Sequence, residues 1–225
     1  AAGVPLINPL VDLGNYVMLE IGAPMHIFDL DLLDLPINVI FNADNKPFQI
    51  IGGDHKNIED SSLTIQDQNG VQAVAGIIGG ENTSISKNTT NIAVEAAFFY
   101  PDKILNQARK YGLATDASHR FERGVDPAIQ KKALERFLFL LDGMAKYDGL
   151  KCLEGNSQAL KTKFVPLSID RFNNFSGLLL TAKMISSLLE NLGFTLKSTN
   201  NKNLSFKVPS HRFDISLEED LYEEI

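Results

Sequence analysis

The chain contains 225 residues, of which 44% are hydrophobic and 22% are charged. This composition is typical of globular proteins, and the length suits one large domain or two smaller ones. The single cysteine, Cys152, excludes an internal disulfide framework and a cysteine-rich zinc site. The sequence has neither the apolar run of roughly 18 residues that a membrane span requires nor a secretory leader, so we expect a cytoplasmic protein with no membrane partner.

The net charge of −7 disfavours nucleic acid as a partner, but the charges are unevenly distributed. Residues 1–100 carry 3 basic and 12 acidic groups. Residues 101–163 carry 12 basic and 8 acidic groups, and residues 164–225 carry 6 basic and 8 acidic groups. The basic middle third is compatible with phosphate contacts, and equally with an ordinary solvated helical face.

The first hundred residues predict one helix followed by short strands. Apolar residues at helical spacing predict a helix over residues 9–21, with Asn8 as its N-cap and Gly22 as its stop. Runs typical of strands follow at 37–43, 48–53, 62–67, 71–80 and 91–99. The sequence DQNG at 67–70 predicts a hairpin, since Asn-Gly readily adopts the primed turn.

Two helices are predicted next. Pro101 opens a helix that Gly112 ends, and Pro127 opens an amphipathic helix over residues 127–147. Between them lies the stretch LATDASHRFERGVD (113–126). Its apolar residues follow neither the period of 2 of a strand nor the period of 3.6 of a helix. We interpret this stretch as a hydrated loop or as a site for a polyanion.

The two arginines of this stretch have two possible roles. Arg120 and Arg123 either contact phosphates or pair with Asp116 and Glu122. We expect internal ion pairing for at least one of them.

The polar stretch 150–163 predicts a linker to a second unit. There the pattern predicts a strand and helix over 164–177, a helix between Thr181 and Gly193, a hairpin around Asn200–Asn201 and a final helix. The expected fold class is therefore α+β: a β-rich first domain with packed helices, and a small α+β module of about 60 residues.

Four stretches occur in one order along the first unit: INPLVDLGNYVMLEIGAPMHIFDLDLL, AVAGIIGGENTSIS, NIAVEAAFFYP and RKYGLATDASHRFERGVDP. Together they resemble the bacterial-type β subunit of phenylalanine–tRNA ligase. The resemblance implies an editing and tRNA-contacting domain over residues 1–155. The end of the next module is similar to the stretch PSHRFDISLEEDLYEEI. The resemblance implies that this module covers residues 163–225 and has a winged-helix-like fold. Both are expected to be truncated pieces of a longer protein.

The resemblance also implies partners and cofactors. They are tRNA(Phe) and the α subunit, in a heterotetramer of two α and two β subunits. The full enzyme uses ATP to attach phenylalanine to tRNA(Phe), whereas we expect no ATP site in this chain. Such a ligase must reject tyrosine, which an apolar synthetic pocket does only about 100-fold. A second site that prefers tyrosine corrects the resulting errors, because it holds a hydrogen-bond acceptor for the extra hydroxyl of tyrosine.

Glu95 lies in the apolar run NIAVEAAFF, where a carboxylate needs a partner. It is either a core glutamate satisfied by backbone or arginine, or the acceptor for the tyrosine hydroxyl. The resemblance implies the second role.

Further pocket residues are assigned by the resemblance. His26, otherwise a structural or surface histidine, is implied to lie near the ester or its attacking water. Thr115 and Ala117 are implied to form a wall, where a small side chain at 117 leaves room for a ring. Gly79 is expected to give close backbone approach, the alternative being an ordinary turn. Asn15 resembles a polar pocket residue. Its neighbour Gly14 replaces the commoner Thr, which puts the contacts on that wall, and whether editing is active, in doubt.

The acidic C-terminus carries six acids and no base over residues 214–225. Asp220, Glu223 and Glu224 share a helix face, and Asp214 lies just before the helix. Oxygen ligands of this kind suit Mg²⁺. The residues alone leave a solvated acidic helix end as the alternative, while the resemblance implies a magnesium site shared with the α subunit. Ser210, His211 and Arg212 are expected to form its basic flank, or equally to contact nucleic acid.

The sequence leaves three functional hypotheses. The first is hydrolysis of mischarged Tyr-tRNA(Phe), with water held by side chains, backbone and the terminal ribose as nucleophile; His26 is a possible general base. The second is a non-enzymatic tRNA-binding or assembly module of the same fold. The third, a metal hydrolase built on the C-terminal acids, has weaker support.

Overall fold

The computed structural model describes residues 3–41, 46–155, 162–200 and 202–225. The chain forms two compact units, Ala1–Leu150 and Lys151–Ile225. Each has helices, antiparallel strands and a hydrophobic core of its own, which confirms the expected α+β class. None of the helices in the described ranges has the length and apolarity needed to cross a membrane.

The first unit contains five helices and eight strands in its described part. In chain order they are α1 (Pro9–Ile21), β1 (Met25–Asp29), β2 (Asn38–Phe41), β3 (Pro47–Gln49), β4 (His55–Asn57), β5 (Leu63–Asp67), β6 (Gly70–Val74), β7 (Ile78–Gly79), β8 (Ile92–Ala96), α2 (Pro101–Ile104), α3 (Gln107–Lys110), α4 (Asp116–Arg123) and α5 (Gln130–Asp142). The strands form three antiparallel sheets, with orders β1–β8, β2–β5–β6–β7 and β3–β4.

The sequence predicted α1 and the β5–β6 hairpin correctly. The Asn8 side chain accepts a hydrogen bond from the Leu10 N–H at 3.0 Å, and Gly22 ends α1 with φ of 88°. Asp67 pairs with Gly70 across the predicted turn. The predicted strand 71–80 is wrong in one respect, because Gly76, with φ of +68°, separates β6 from β7.

Other boundaries differ from prediction for local reasons. The predicted helix 101–112 is two short helices, since Asn106 takes a left-handed φ of 63° between them. The helix expected over 127–147 begins only at Gln130, after Asp126 accepts a hydrogen bond from the Ala128 N–H at 2.9 Å, and ends at Asp142. Strands β1 and β4 were not predicted, and residues 42 and 43 of the predicted strand 37–43 lie outside the described residues.

Two buried clusters hold the first unit together. One joins α1 and α5 to β1 through Leu13, Val17, Ile27, Ala133 and Phe137. The other fills the space between the four-stranded sheet and helices α2 to α4 and includes Phe28, Ile65, Phe99 and Phe121. The β1–β8 pair contributes side chains to both clusters and so lies between them.

The second unit contains β9 (Phe164–Ser168), α6 (Ile169–Ser176), α7 (Ala182–Asn191), β10 (Thr195–Thr199), β11 (Asn203–Lys207) and α8 (Glu218–Glu223). Its three strands form an antiparallel sheet in the order β10–β11–β9. The predicted hairpin is confirmed as β10–β11, although Asn201 of its turn and residues 156–161 of the predicted linker lie outside the described residues.

Phe137 tests the packing of α5, because it is fully buried against α1. We expect Phe137→Ala to lower the free energy of unfolding of the first unit by about 3–5 kcal/mol, through lost burial and the cavity left behind. Phe139→Ala is the matched control: Phe139 lies on the same helix and is 71% exposed. Its loss should change the unfolding free energy, measured by urea denaturation, by less than about 1 kcal/mol. Equal losses would contradict this packing.

Candidate functional site

A cavity of about 70 Å³ lies among the β1–β8 pair, strands β5 to β7 and helix α4. A single water needs roughly 10–15 Å³ on the same scale, so the space is several times larger than a site for one water. Among its lining residues in the described ranges, His26 and Glu95 are polar, and all the others are apolar or glycine. Both are half-buried, so the cavity reaches the surface.

Strand pairing brings His26 and Glu95 together. In the antiparallel register of β1 and β8, His26 lies directly opposite Glu95. Directly opposed residues of an antiparallel pair point to the same face, with Cβ atoms about 4.5–5.5 Å apart. The two ionisable side chains therefore enter the cavity side by side.

The Glu95 carboxyl makes neither an ion pair nor a hydrogen bond with any residue that the structure describes. Burial raises its pKa to about 7, since the apolar walls disfavour the charged form. Of the two interpretations left open by the sequence, the internally satisfied core glutamate is not found. What is found is an acceptor with free hydrogen-bonding capacity facing an apolar cavity.

The His26 ring is held by packing alone. It lies edge-on to Phe28, with ring centroids 4.3 Å apart, and against the backbone of Gly79. A Cβ on Gly79 would lie 2.2 Å from His26 Cε1, so a side chain there would displace the ring. The close approach predicted for Gly79 is thus made by His26.

The buried Nε2 atom of His26 has no hydrogen-bond partner within the part of the chain that the structure describes. Burial lowers the pKa of His26 to about 4, so the ring is neutral at neutral pH. A buried ring nitrogen without a partner costs free energy, which a ligand that bonds to it would recover.

Helix α4 forms another wall, and it corrects our interpretation of residues 113–126 as a loop or open site. Thr115 and Ser118 form a capping box, with Ser118 N–H donating to Thr115 Oγ1 at 3.0 Å. The helix places Ala117 and Phe121, one turn apart, on the cavity. Phe121 was not predicted as a cavity residue, although the Thr-x-x-Ser cap marks the start of the helix.

Thr115 does not line the cavity. Its hydroxyl donates to the Ile77 carbonyl at 2.9 Å and accepts from Ser118, which ties the start of α4 to the chain beside β7. Its place is therefore behind the wall, where it positions Ala117.

Asn15 is also away from the cavity. A Cβ on the adjacent Gly14 would lie 3.4 Å from Ile27 Cδ1 and 3.9 Å from Met25 Cβ. Since successive residues of a strand point to opposite faces, α1 packs on the face of β1 opposite the His26 side chain. Asn15 is not among the described residues that line the cavity, whereas the adjacent Gly14 packs near Met25, which does line it.

The arginines of α4 are partly paired. Arg120 bonds to Asp116 Oδ1 at 2.9 Å and to the Asp116 carbonyl at 2.8 Å, which confirms the expected internal ion pair. Arg123 contacts the His119 ring and donates to its carbonyl at 3.0 Å.

The four acids predicted to hold magnesium do not form one cluster in the described ranges, although Asp214 and Glu224 share Arg212 as a partner. Arg212 binds Asp214, lowering the pKa of that carboxyl, and also binds Glu224. The Asp220 carboxylate accepts from the Leu217 and Ser216 N–H groups at the start of α8, and Glu223 is exposed. In the described ranges, no three potential ligand side chains are grouped as a metal site requires. As placed, these residues do not fit Mg²⁺.

The match with known families covers both units. Residues 1–146 match the family model of the B3/4 domain. The chain belongs to the B3/4 domain family. Beyond this B3/4 domain, residues 165–225 match the tRNA synthetase B5 domain.

The chain is similar to curated phenylalanine–tRNA ligase β subunits. That of Idiomarina loihiensis is 38% identical over 226 residues and that of Colwellia psychrerythraea 40% over 228, covering 100% and 99% of this chain. The chain spans 28% of the length of each relative. An N-terminal fragment of the phenylalanyl-tRNA synthetase β subunit from Pyrococcus horikoshii aligns with a TM-score of 0.47 and 18% identity, over 96% of this chain and 63% of that one. The expected resemblance to this family is confirmed.

The buried pair in the B3/4 cavity predicts opposite pH dependences. Folded Glu95 keeps its proton up to pH about 7, whereas the unfolded chain releases it near 4.5, so this residue lowers stability as pH rises between those values. Folded His26 stays neutral down to pH about 4, so it lowers stability as pH falls from about 6.5 to 4.

Glu95→Gln separates the two effects. The unfolding free energy of the variant minus that of the wild type should increase by up to about 3 kcal/mol between pH 4.5 and 7.5, because only the wild type has the Glu95 carboxyl to ionise. Each pKa unit corresponds to about 1.4 kcal/mol. Glu135→Gln, at an exposed position of α5, is the control and should show no such increase. Urea denaturation across this pH range provides the measurement, and a constant difference for Glu95→Gln would contradict the burial of its carboxyl.

Proposed function

We propose that the chain is part of a phenylalanine–tRNA ligase β subunit, and that its B3/4 cavity hydrolyses tyrosine wrongly esterified to tRNA(Phe). The observation that carries the proposal is Glu95, a carboxyl that has no partner among the described residues and shares an apolar cavity with His26. Relatives named as phenylalanine–tRNA ligase β subunits, at 38–40% identity, support the choice of enzyme.

Recognition rests on the tyrosine hydroxyl. With the ring between the apolar walls, the hydroxyl donates a hydrogen bond to Glu95. Phenylalanine fills the same space but leaves the carboxylate desolvated and unpaired. A hydrogen bond to a charged group contributes about 1.5–3 kcal/mol, which corresponds to roughly 10–100-fold selectivity. The neutral His26 Nε2, beside Glu95, offers a second contact to the same hydroxyl.

Hydrolysis needs a water molecule at the ester carbonyl. The water oxygen bonds to the carbonyl carbon, the bond from that carbon to the ribose oxygen breaks, and one proton of the water goes to this ribose oxygen, which leaves as a hydroxyl. A group with a pKa of about 4, as His26 has, is a weak general base near neutral pH. Orientation of the water by backbone groups and by the terminal ribose therefore supplies most of the rate.

The remaining requirements are those of the whole enzyme. They are tRNA(Phe), the α subunit in an α₂β₂ assembly, and the ATP and Mg²⁺ of the synthetic reaction. We place this whole enzyme in the cytoplasm. Within this chain, the exposed Arg109 on α3, which has no partner among the described residues, is the best candidate for a phosphate contact.

Glu95→Ala, made in the full-length ligase, should reduce hydrolysis of Tyr-tRNA(Phe) about 10–100-fold, because it removes the acceptor of the phenol hydroxyl. Ala117→Leu should abolish hydrolysis, because the larger side chain fills the cavity. Single-turnover deacylation of labelled Tyr-tRNA(Phe) measures both changes, with attachment of phenylalanine to tRNA as the measure of intact synthesis.

Glu122→Gln is the control on α4, since Glu122 does not line the cavity, and it should leave deacylation unchanged. If Glu95→Ala and Ala117→Leu deacylate at the wild-type rate, the hydrolytic role is wrong. If Arg109→Ala alone then weakened tRNA binding, the non-enzymatic tRNA-binding module would be the better account.

A further inference from the structure

The acidic end of the second unit contains its own cation. The Arg212 guanidinium donates from Nε and Nη2 to both Asp214 oxygens, at 2.9 and 2.6 Å, and from Nη2 to Glu224 Oε1 at 2.5 Å. It thus joins the turn before α8 to the residue after that helix. These contacts engage both Asp214 oxygens and one Glu224 oxygen, and they place a positive charge where a metal ion bridging the two carboxylates would lie.

The surroundings hold Arg212 in this position. Its guanidinium lies over the Phe194 ring, 5.8 Å from the centroid, and its side chain is only 20% exposed. The Glu224 side chain is 22% exposed. A planar guanidinium that bonds two carboxylates and stacks on an aromatic ring is far more constrained than a surface lysine would be.

The other acids of this segment are engaged elsewhere or point to solvent. Asp220 Oδ2 accepts from Ser216 N–H at 2.6 Å and Leu217 N–H at 2.7 Å, and so caps α8. Glu218 is buried, bonds to the Arg171 guanidinium and accepts from Ser168 N–H and Tyr222 hydroxyl. Glu223 is exposed.

We propose that the Arg212 guanidinium is the built-in counter-cation of the acidic C-terminal segment, occupying the position between Asp214 and Glu224 that a divalent cation would need. Cation and guanidinium are then mutually exclusive: a divalent ion binds these carboxylates only after Arg212 has left them. We call the three residues Arg212, Asp214 and Glu224, joined by these ion pairs, the Arg212 clasp. In this chain the clasp takes the place of an open metal site.

The test is a titration of the 225-residue chain with Mn²⁺, with free Mn²⁺ followed by electron paramagnetic resonance. The wild type should show no saturable binding that depends on Asp214 and Glu224. Arg212→Gln should bind one Mn²⁺ at least about tenfold more tightly, since a positive charge in direct contact with both ligands is gone. The triple variant Arg212→Gln, Asp214→Asn, Glu224→Gln should lose that binding again.

Arg171→Gln is the matched control, because it opens the other arginine–glutamate pair of the same unit and leaves the clasp closed. It should gain no Mn²⁺ binding. The proposal is overturned if the wild type binds Mn²⁺ as tightly as Arg212→Gln, or if Arg212→Gln gains nothing.

A measurement on the wild type alone covers the case in which Arg212→Gln does not fold. The Nε–H resonance of Arg212 should be protected from exchange and should keep its chemical shift when millimolar Mg²⁺ is added. Loss of that protection with Mg²⁺ would contradict the clasp.

Discussion

The placement of half-buried Glu95 opposite His26, with no hydrogen-bond partner for Glu95 or for His26 Nε2 among the described residues, is the constraint on which the site depends. A carboxyl in an apolar cavity costs free energy that folding alone does not recover, and the antiparallel register adds an unpaired imidazole beside it. A fold selected only for stability would replace such a pair with apolar side chains. The pair is understandable if a ligand brings the missing hydrogen bonds.

The rest of the first unit keeps this pair in place. Gly79 leaves room for the His26 ring, and Thr115 ties helix α4 to the chain beside β7, so that Ala117 and Phe121 close the space. Each of these features is a packing or capping interaction, and none contacts a ligand through a charge. In the proposed function the cavity therefore discriminates by shape and by hydrogen bonds to Glu95 and His26.

The sequence revealed the unusual residue but not its surroundings. Glu95 was identifiable because one acid interrupts an apolar run, and α1 because its caps lie within the helix sequence. Strand β1 was missed, since its pairing with β8 depends on residues far apart in the chain, and so the contact of His26 with Glu95 was not predictable from local pattern. Helix α4 was missed because Ser118 and Phe121 are its only buried residues. Two buried residues are too few to show the apolar spacing of a helix. The Arg212 clasp was missed because its acids were interpreted as ligands for an external cation.

The most direct test of the central claim compares two non-hydrolysable ligands, tyrosine and phenylalanine each joined by an amide to the 3′ position of adenosine. Their affinities for the full-length β subunit carrying this chain are measured by isothermal titration calorimetry. The account predicts that the tyrosine compound binds at least about tenfold more tightly, as one hydrogen bond to a buried carboxylate requires. Equal affinities, or a preference for phenylalanine, would contradict it.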